Sequence, residues 1–366
     1  MRPEAERLLG LTAELVDIPS VSHHEKAIAD HVESWLKSRC ESDVLELRRI
    51  GDNVCARTNS GLPERLIIAG HLDTVPPNGN ERAVLEGEVL RGLGSADMKG
   101  GVALAMELAR LASESSSTGL ALDLTFLFYT CEEVEQEHSG LGQIEAEDPS
   151  WLEGDAAILG EPTGGSVEAG CQGVLNLVVE VRGERAHTAR PWKGRNAIHR
   201  LAPVLAALSG YSPRSVTMDG CEYQEALQAV AVTGGVANNV VPDSAELVLN
   251  HRFAPDRTAV EAADALRTVF GPSIDPAAGD RLVVTAESAP AAPGLGHHLL
   301  ASLVEATGRP PRGKLGWTDV SYFYSRGVPA ANYGPGDSTL AHNAAEQVTG
   351  SDLAGSLEVL RRVTRL

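Results

Sequence analysis

Cysteine, positive charge and long apolar runs are what this 366-residue chain has least of. Its five cysteines, Cys40, Cys55, Cys131, Cys171 and Cys221, are odd in number and scattered, with no C-x-x-C pair. That argues against a disulfide framework and a structural zinc finger, and leaves reduced thiols serving mostly as small core residues. Lysine and arginine number 31 against 50 acidic residues, for a formal net charge of −19. Phosphate binding needs a basic surface, so no nucleic-acid partner is expected, and the acidic surface reads as solvated. No apolar run approaches the roughly 18 residues that cross a bilayer, so no membrane partner is expected. Met1-Arg2-Pro3-Glu4 leads straight into an amphipathic pattern without a secretory apolar region, which makes a cytoplasmic location the expectation. Internal repeats and low-complexity tracts are also missing.

What is present suits an ordinary globular protein, with 43% hydrophobic and 22% charged residues and a length that suggests two domains. Leu8, Leu9, Leu11 and Leu15 recur at helical spacing over Pro3 to Val16, and a second helix is predicted from about His24 to Arg39 with Ser22 as its cap. Short apolar runs at Val44–Leu47, Val54–Arg57, Arg65–Ala69, Leu122–Tyr129 and Ala156–Leu159 read as strands. They alternate with a helical segment, Lys99 to Leu111, and indicate an α/β domain with a mixed sheet flanked by helices. After Gly173 the texture changes to strand Val174–Val181, helix Asn196–Leu208, strand Glu246–Phe253 and helix Thr258–Val269, which suits a small α+β insert. The Pro- and Ala-rich stretch Ser288 to Gly294 reads as the return linker, followed by helices over His297–Ala306 and Ser351–Val363. The boundaries read from this are 1–172 and 288–366 for one interrupted domain, with 173–287 as the insert.

Three of the buried-looking strands end in acid or imidazole: Arg65–Gly70 at His71, Leu122–Cys131 at Glu132 and Glu133, and Ala156–Gly160 at Glu161. Ligands of open α/β sheets bind outside the carboxyl ends of strands, so one rim receives all of them. Asp97 follows the glycine-rich Arg91-Gly92-Leu93-Gly94-Ser95-Ala96, and His342 lies near the C-terminus. Imidazoles and carboxylates without thiolate suit zinc or a similar divalent ion, and a shared carboxylate suits two ions about 3.5–4 Å apart. A lone Glu after a strand is usually a solvated loop residue and a lone His is usually structural; the combination carries the weight. Rival motifs fail: His24-Glu25-Lys26-Ala27-Ile28 lacks the second histidine of H-E-x-x-H, Gly92-Leu93-Gly94 meets Asp97 where a dinucleotide site needs glycine, and no G-x-S-x-G occurs. The histidines His23, His31, His138, His199, His297 and His298 read as surface residues. Because neighbouring side chains of a strand point oppositely, Glu132 and Glu133 can serve one site only if the chain bends after Cys131.

Gly70-His71-Leu72-Asp73-Thr74-Val75-Pro76, Gly94 to Gly101, Glu132-Glu133 and Gly160-Glu161-Pro162-Thr163 resemble the zinc aminoacylase and carboxypeptidase family over nearly the whole chain. The resemblance implies a zinc-peptidase-like catalytic domain interrupted by a ferredoxin-like dimerisation domain, and hence a homodimer. It implies two Zn2+, replaceable by Co2+, one held by His71, Asp97 and Glu161 and the other by Asp97, Glu133 and His342. Glu132 is then the general base, Asp73 orients His71, and His187 reaches the site of the neighbouring subunit. The reaction expected is hydrolysis of an acylated amino acid.

An anionic substrate meets a protein of the same sign, so local cations must steer it. Arg252, whose guanidinium can grip a carboxylate in a fork, is the candidate, with Asn238 and Asn239 offering amide contacts to the same carboxylate and Thr318 as a further contact. Stretches around Ala157–Thr163, Glu168–Gly173, Gly316–Val320 and Asn332–Asp337 resemble the actinobacterial branch that removes succinate from diaminopimelate in lysine synthesis. Removal of acetate from acetylornithine is the alternative. The Gly-Trp-Thr-Asp loop departs from the Gly-Gly-Thr-Ser-Asp form of other branches.

Overall fold

The computed structural model describes residues 3–115 and 119–366. Met1 and Arg2, where the N-terminal reading begins, lie outside the described residues. The chain forms two compact units: Met1–Gly170 with Pro293–Arg312 and Thr318–Leu366, and Cys171–Ala292 with Gly313–Trp317. In chain order the strands are β1 (Leu45–Ile50), β2 (Asn53–Thr58), β3 (Arg65–His71), β4 (Val84–Glu86), β5 (Val89–Arg91), β6 (Asp123–Tyr129), β7 (Ala156–Leu159), β8 (Glu168–Ala169) and β9 (Gly173–Arg182). They continue as β10 (Ser215–Met218), β11 (Cys221–Gln224), β12 (Ala226–Gly234), β13 (Ser244–Phe253), β14 (Arg281–Ser288), β15 (Arg312–Gly313), β16 (Ala330–Asn332) and β17 (Gln347–Thr349).

The first unit is built on a mixed sheet in the order β1-β2-β6-β3-β7-β16-β8-β15. Its centre, β6-β3-β7-β16, is parallel, while β1, β2 and β8 run antiparallel to their neighbours. Every residue of β6 and β7 is buried, which is why β7 reads as an unbroken apolar run and β6 as one interrupted only by Asp123 and Thr125. Helix Pro3–Val16 has the limits its leucine spacing predicts. The next helix, Lys26–Arg39, begins later than predicted and Ser22 does not cap it, because that hydroxyl donates to Asp73 Oδ2 at 2.8 Å. Helix Gly100–Glu114 is buried on nearly every side, as its Ala-Leu-Met composition allows. Gly101 permits its close approach to β7: a Cβ there would lie 2.1 Å from the Gly160 carbonyl oxygen.

The second unit has a four-stranded sheet ordered β12-β13-β9-β14, antiparallel throughout. With helices after β9 and β13 this is the βαββαβ arrangement. Strand β13 alternates buried and open positions, so Leu247, Leu249 and Phe253 join Leu175, Leu177 and Val179 in the unit's core. The helix predicted over Asn196–Leu208 is two helices, Ala197–Arg200 and Ala202–Ser209. Pro203 has no N–H to continue the ladder across that junction. Strands β12 and β14 escaped the sequence reading; in β12 Val230 and Val232 are exposed, so apolar residues there do not mark the buried face. Two of the histidines read as surface residues, His31 and His297, are half-buried.

Candidate metal centre

Parallel strands β3, β6 and β7 deliver their carboxyl ends to one rim of the first unit. His71 closes β3, Glu161 follows β7 by two residues, and the two glutamates follow β6. The bend needed between strand and glutamates occurs at Cys131, whose φ of 58° is left-handed. Buried Glu25 accepts the Cys131 N–H at 3.1 Å and its Sγ–H at 3.2 Å. Asp73 then accepts the backbone N–H of Glu132 at 3.1 Å and of Glu133 at 3.0 Å. Asp73 therefore orients the glutamate turn as well as the imidazole beside it.

The donors gather into groups whose atoms lie within 4.8 Å of one another: His71, Asp97 and Glu161; Asp97, Glu133 and His342; and His71, Glu132 and Glu133. Asp97 faces a different imidazole with each oxygen. Oδ1 is 3.4 Å from His71 Nε2 and Oδ2 is 3.5 Å from His342 Nε2. Glu161 Oε1 stands 3.9 Å from His71 Nε2, and Glu133 Oε1 stands 3.0 Å from His342 Nε2. His71 Nδ1 faces the Asp73 carbonyl oxygen at 3.0 Å, so it carries the proton and leaves Nε2 toward the carboxylates. That Nε2 is buried and makes no hydrogen bond. A buried imidazole nitrogen aimed at two carboxylates, with no sulfur in the set, fits a divalent cation of the zinc type.

The electrostatics agree. Burial pushes His71 down, but Asp73 and Asp97 outweigh it and hold the imidazole well above its usual value. Glu133 raises His342 to about 9. A proton held this way by carboxylates is what a bound cation replaces. Burial would raise Asp73, yet His71 and the N–H groups of Glu133 and Glu132 bring it to about 2. Glu132 is driven well above the usual carboxylate range, chiefly by burial, with the Glu161 and Asp319 charges adding to it.

Sequence reasoning missed several residues of this centre. Buried Asp319 is raised to about 6 by desolvation, and buried Tyr129 lies edge-on to His71 with ring centroids 6.5 Å apart. Glu346 accepts three N–H groups of the loop leading into Asp97. Nothing in their local sequence separates them from ordinary strand or loop residues. Thr318 is buried and its hydroxyl donates to Asn332 Oδ1 at 3.1 Å.

His187, Asn238, Asn239 and Arg252 belong to the second unit. His187 bridges to Val240 and the Thr188 N–H donates to the Asn239 carbonyl at 3.1 Å, so these two segments adjoin. His187 is exposed, and its Nδ1 accepts the Ala189 N–H at 3.0 Å. Arg252, on β13, is half-buried, touches Asn250 Oδ1 at 3.3 Å and makes no ion pair among the described residues.

Comparison with known proteins supplies an independent view. The profile of peptidase family M20/M25/M40 matches residues 67–365. A succinyl-diaminopimelate desuccinylase of Corynebacterium glutamicum is 44% identical over 353 residues, covering 96% of this chain and 94% of its own length. A Mycobacterium tuberculosis protein named as a candidate succinyl-diaminopimelate desuccinylase is 48% identical over 356 residues, covering 96% of both chains. Among solved structures, aminopeptidase PepT of Bacillus cereus superposes with a TM-score of 0.78 at 20% identity, covering 98% of both chains. A Bacillus subtilis dinuclear metal-binding peptidase of the M20 family gives 0.71 at 15% identity, covering 100% of this chain and 98% of that one.

Proposed function

From the premise that the chain belongs to peptidase family M20/M25/M40, we propose that it is a dizinc amidohydrolase acting on N-succinyl-LL-2,6-diaminopimelate. The products are LL-diaminopimelate and succinate, and the step serves lysine synthesis. The substrate is the one named for two relatives that match almost end to end. The observation that carries the chemistry is the division of the Asp97 carboxylate between two imidazoles, 3.4 Å to His71 and 3.5 Å to His342. His71, Asp97 and Glu161 would hold one Zn2+, and Asp97, Glu133 and His342 the other, with Co2+ able to replace either. When bound, the pair supplies Lewis-acid polarisation of the acyl carbonyl and a lowered pKa for water.

Glu132 takes the proton released as water attacks the acyl carbon, and returns it to the leaving nitrogen as the C–N bond breaks. Its burial favours the protonated form, which holds that proton between the two steps. Asp73 keeps the His71 ring turned and, through the N–H groups of Glu132 and Glu133, keeps base and ligand on the same turn. His187 donates to the developing oxyanion from a second copy of the chain. Because its Nδ1 accepts from Ala189, the neutral ring carries its proton on Nε2, free to donate.

Arg252 grips a substrate carboxylate, which its lack of an acidic partner among the described residues leaves it able to do, with Asn238 and Asn239 assisting. Thr318, in the first unit, is a further substrate contact on this reading, its hydroxyl oriented by donation to Asn332. The homodimer forms through the second unit, where β12 ends the sheet with Val230 and Val232 each 61% exposed. A cytoplasmic location goes with this reading; no helix among the described residues is long and apolar enough to cross a membrane. Purified Zn2+-loaded protein should turn over N-succinyl-LL-diaminopimelate in preference to N-acetylornithine; preference for the acetyl compound would overturn the substrate.

A further inference from the structure

Glu346 lies outside every motif read above, yet it is tied at each of its polar groups to the loops of the metal centre. It is 1% exposed. Its Oε1 accepts the N–H of Ala96 at 3.0 Å and of Asp97 at 2.9 Å, and its Oε2 accepts that of Gly94 at 3.0 Å. Gly94, with φ of 76°, and the residues after it turn the N–H groups of Gly94, Ala96 and Asp97 inward, a concave arrangement that holds an anion. The Glu346 backbone is engaged too. Its N–H donates to the Asn343 carbonyl at 3.0 Å, and its carbonyl accepts from Gly92 at 3.2 Å. One residue thus closes the turn that immediately follows His342, from Asn343 to Glu346, and grips the loop that presents Asp97.

Resting on the dinuclear reading above, we propose that Glu346 is the positioning residue that sets the Asp97 carboxylate between the two ions. Its effect falls mainly on the outer position, Asp97–Glu133–His342. The inner position has other supports: His71 ends a strand paired on both sides and is held by Asp73. His342 belongs to a loop, with its side chain 52% exposed, so its place relative to Asp97 depends on the Glu346 tie.

The atoms give a graded expectation. In Glu346→Gln the amide oxygen can take the place of Oε1 and keep the Ala96 and Asp97 bonds, but the NH2 group cannot accept from Gly94. In Glu346→Ala all three N–H groups lose their acceptor. The test is equilibrium dialysis and calorimetric titration of Zn2+ into chelator-stripped full-length protein, with thermal melting as the check of folding. Wild type should take up two ions. Glu346→Ala should keep one with near wild-type affinity and bind the other about 10- to 100-fold more weakly, as lost outer supports of ligands do. Glu346→Gln should fall between. Unchanged affinities in Glu346→Ala, or an equal fall at both positions, would overturn the proposal. Should Glu346→Ala not fold, Glu346→Gln decides alone, and unchanged affinities there overturn it. A wild-type protein that binds fewer than two ions sinks the dinuclear reading itself, which a change confined to the variants cannot do.

Discussion

Two wholly buried histidines, one in each unit, are shifted in opposite directions. His251 in the second unit is lowered, first by burial. Its Nδ1 donates to the Ala226 carbonyl at 2.9 Å and its Nε2 accepts from Arg257 at 3.1 Å. Arg257 in turn meets buried Glu225 at 2.8 Å, and Glu225 also accepts the Ala254 N–H at 3.0 Å. That network contains its own cation and needs no other. His71 in the first unit is buried just as deeply but is held high by carboxylates. Five acids, Asp73, Asp97, Glu132, Glu133 and Glu161, surround two imidazoles. A buried ionic group is stable when its charges balance, so the first network is structural and the second calls for metal.

Perturbing each network should expose the contrast, beginning with the largest effect. Glu132→Gln should cut kcat for N-succinyl-LL-diaminopimelate by about 10²- to 10⁴-fold, the span of general-base catalysis, and leave the melting temperature of the second unit unchanged. Hydrolysis at the wild-type rate would remove Glu132 from the base role. In the second unit, Glu225→Ala leaves Arg257 buried without its carboxylate and should cost about 3–5 kcal/mol of stability, read from denaturant unfolding. Zn2+ uptake by that variant should remain at two ions, since no proposed ligand has changed.

Chelation tests the same contrast from the metal side. Zn2+ at a thousand times its Kd should add about 4 kcal/mol to stability, lost on treatment with chelator. Amide exchange should then quicken at residues 94–97 and 131–133 while β9 and β13 stay protected; the reverse distribution would break the comparison. The smallest effect is acid sensitivity at His251. Its folded-state pKa lies below the usual 6.5, so the stability contributed by its neutral form is complete above pH 6.5 and is lost as pH falls below it. An NMR titration of the His251 ring with an ordinary midpoint would show that its burial and the Arg257 contact do not matter.

The same contrast shows which parts of the site were readable beforehand. His71, Glu132, Glu133 and Glu161 stand at or just past the ends of apolar runs, where chain direction alone brings them to a common rim. Helix Pro3–Val16 and strand Ala156–Leu159 follow from local apolar spacing, and both have the predicted limits. Ser22 looked like a cap because serine before a helical run usually is one, but its hydroxyl donates its hydrogen bond to Asp73, 51 residues away. Strand β12 escaped because its apolar residues Val230 and Val232 are exposed, so no alternation of apolar and polar side chains marks it.

Sequence by itself determined the strands that end in the donors, the side of the sheet those ends share and the chemistry of the donors, since periodicity and residue type are local properties. Tertiary structure alone decided which acid would hold which loop: Glu346 grips Asp97 across 249 positions, and Glu225 rather than a nearer acid balances Arg257. Those choices are made by burial and distance, because a carboxylate taken out of water must find its donors wherever the folded chain has placed them.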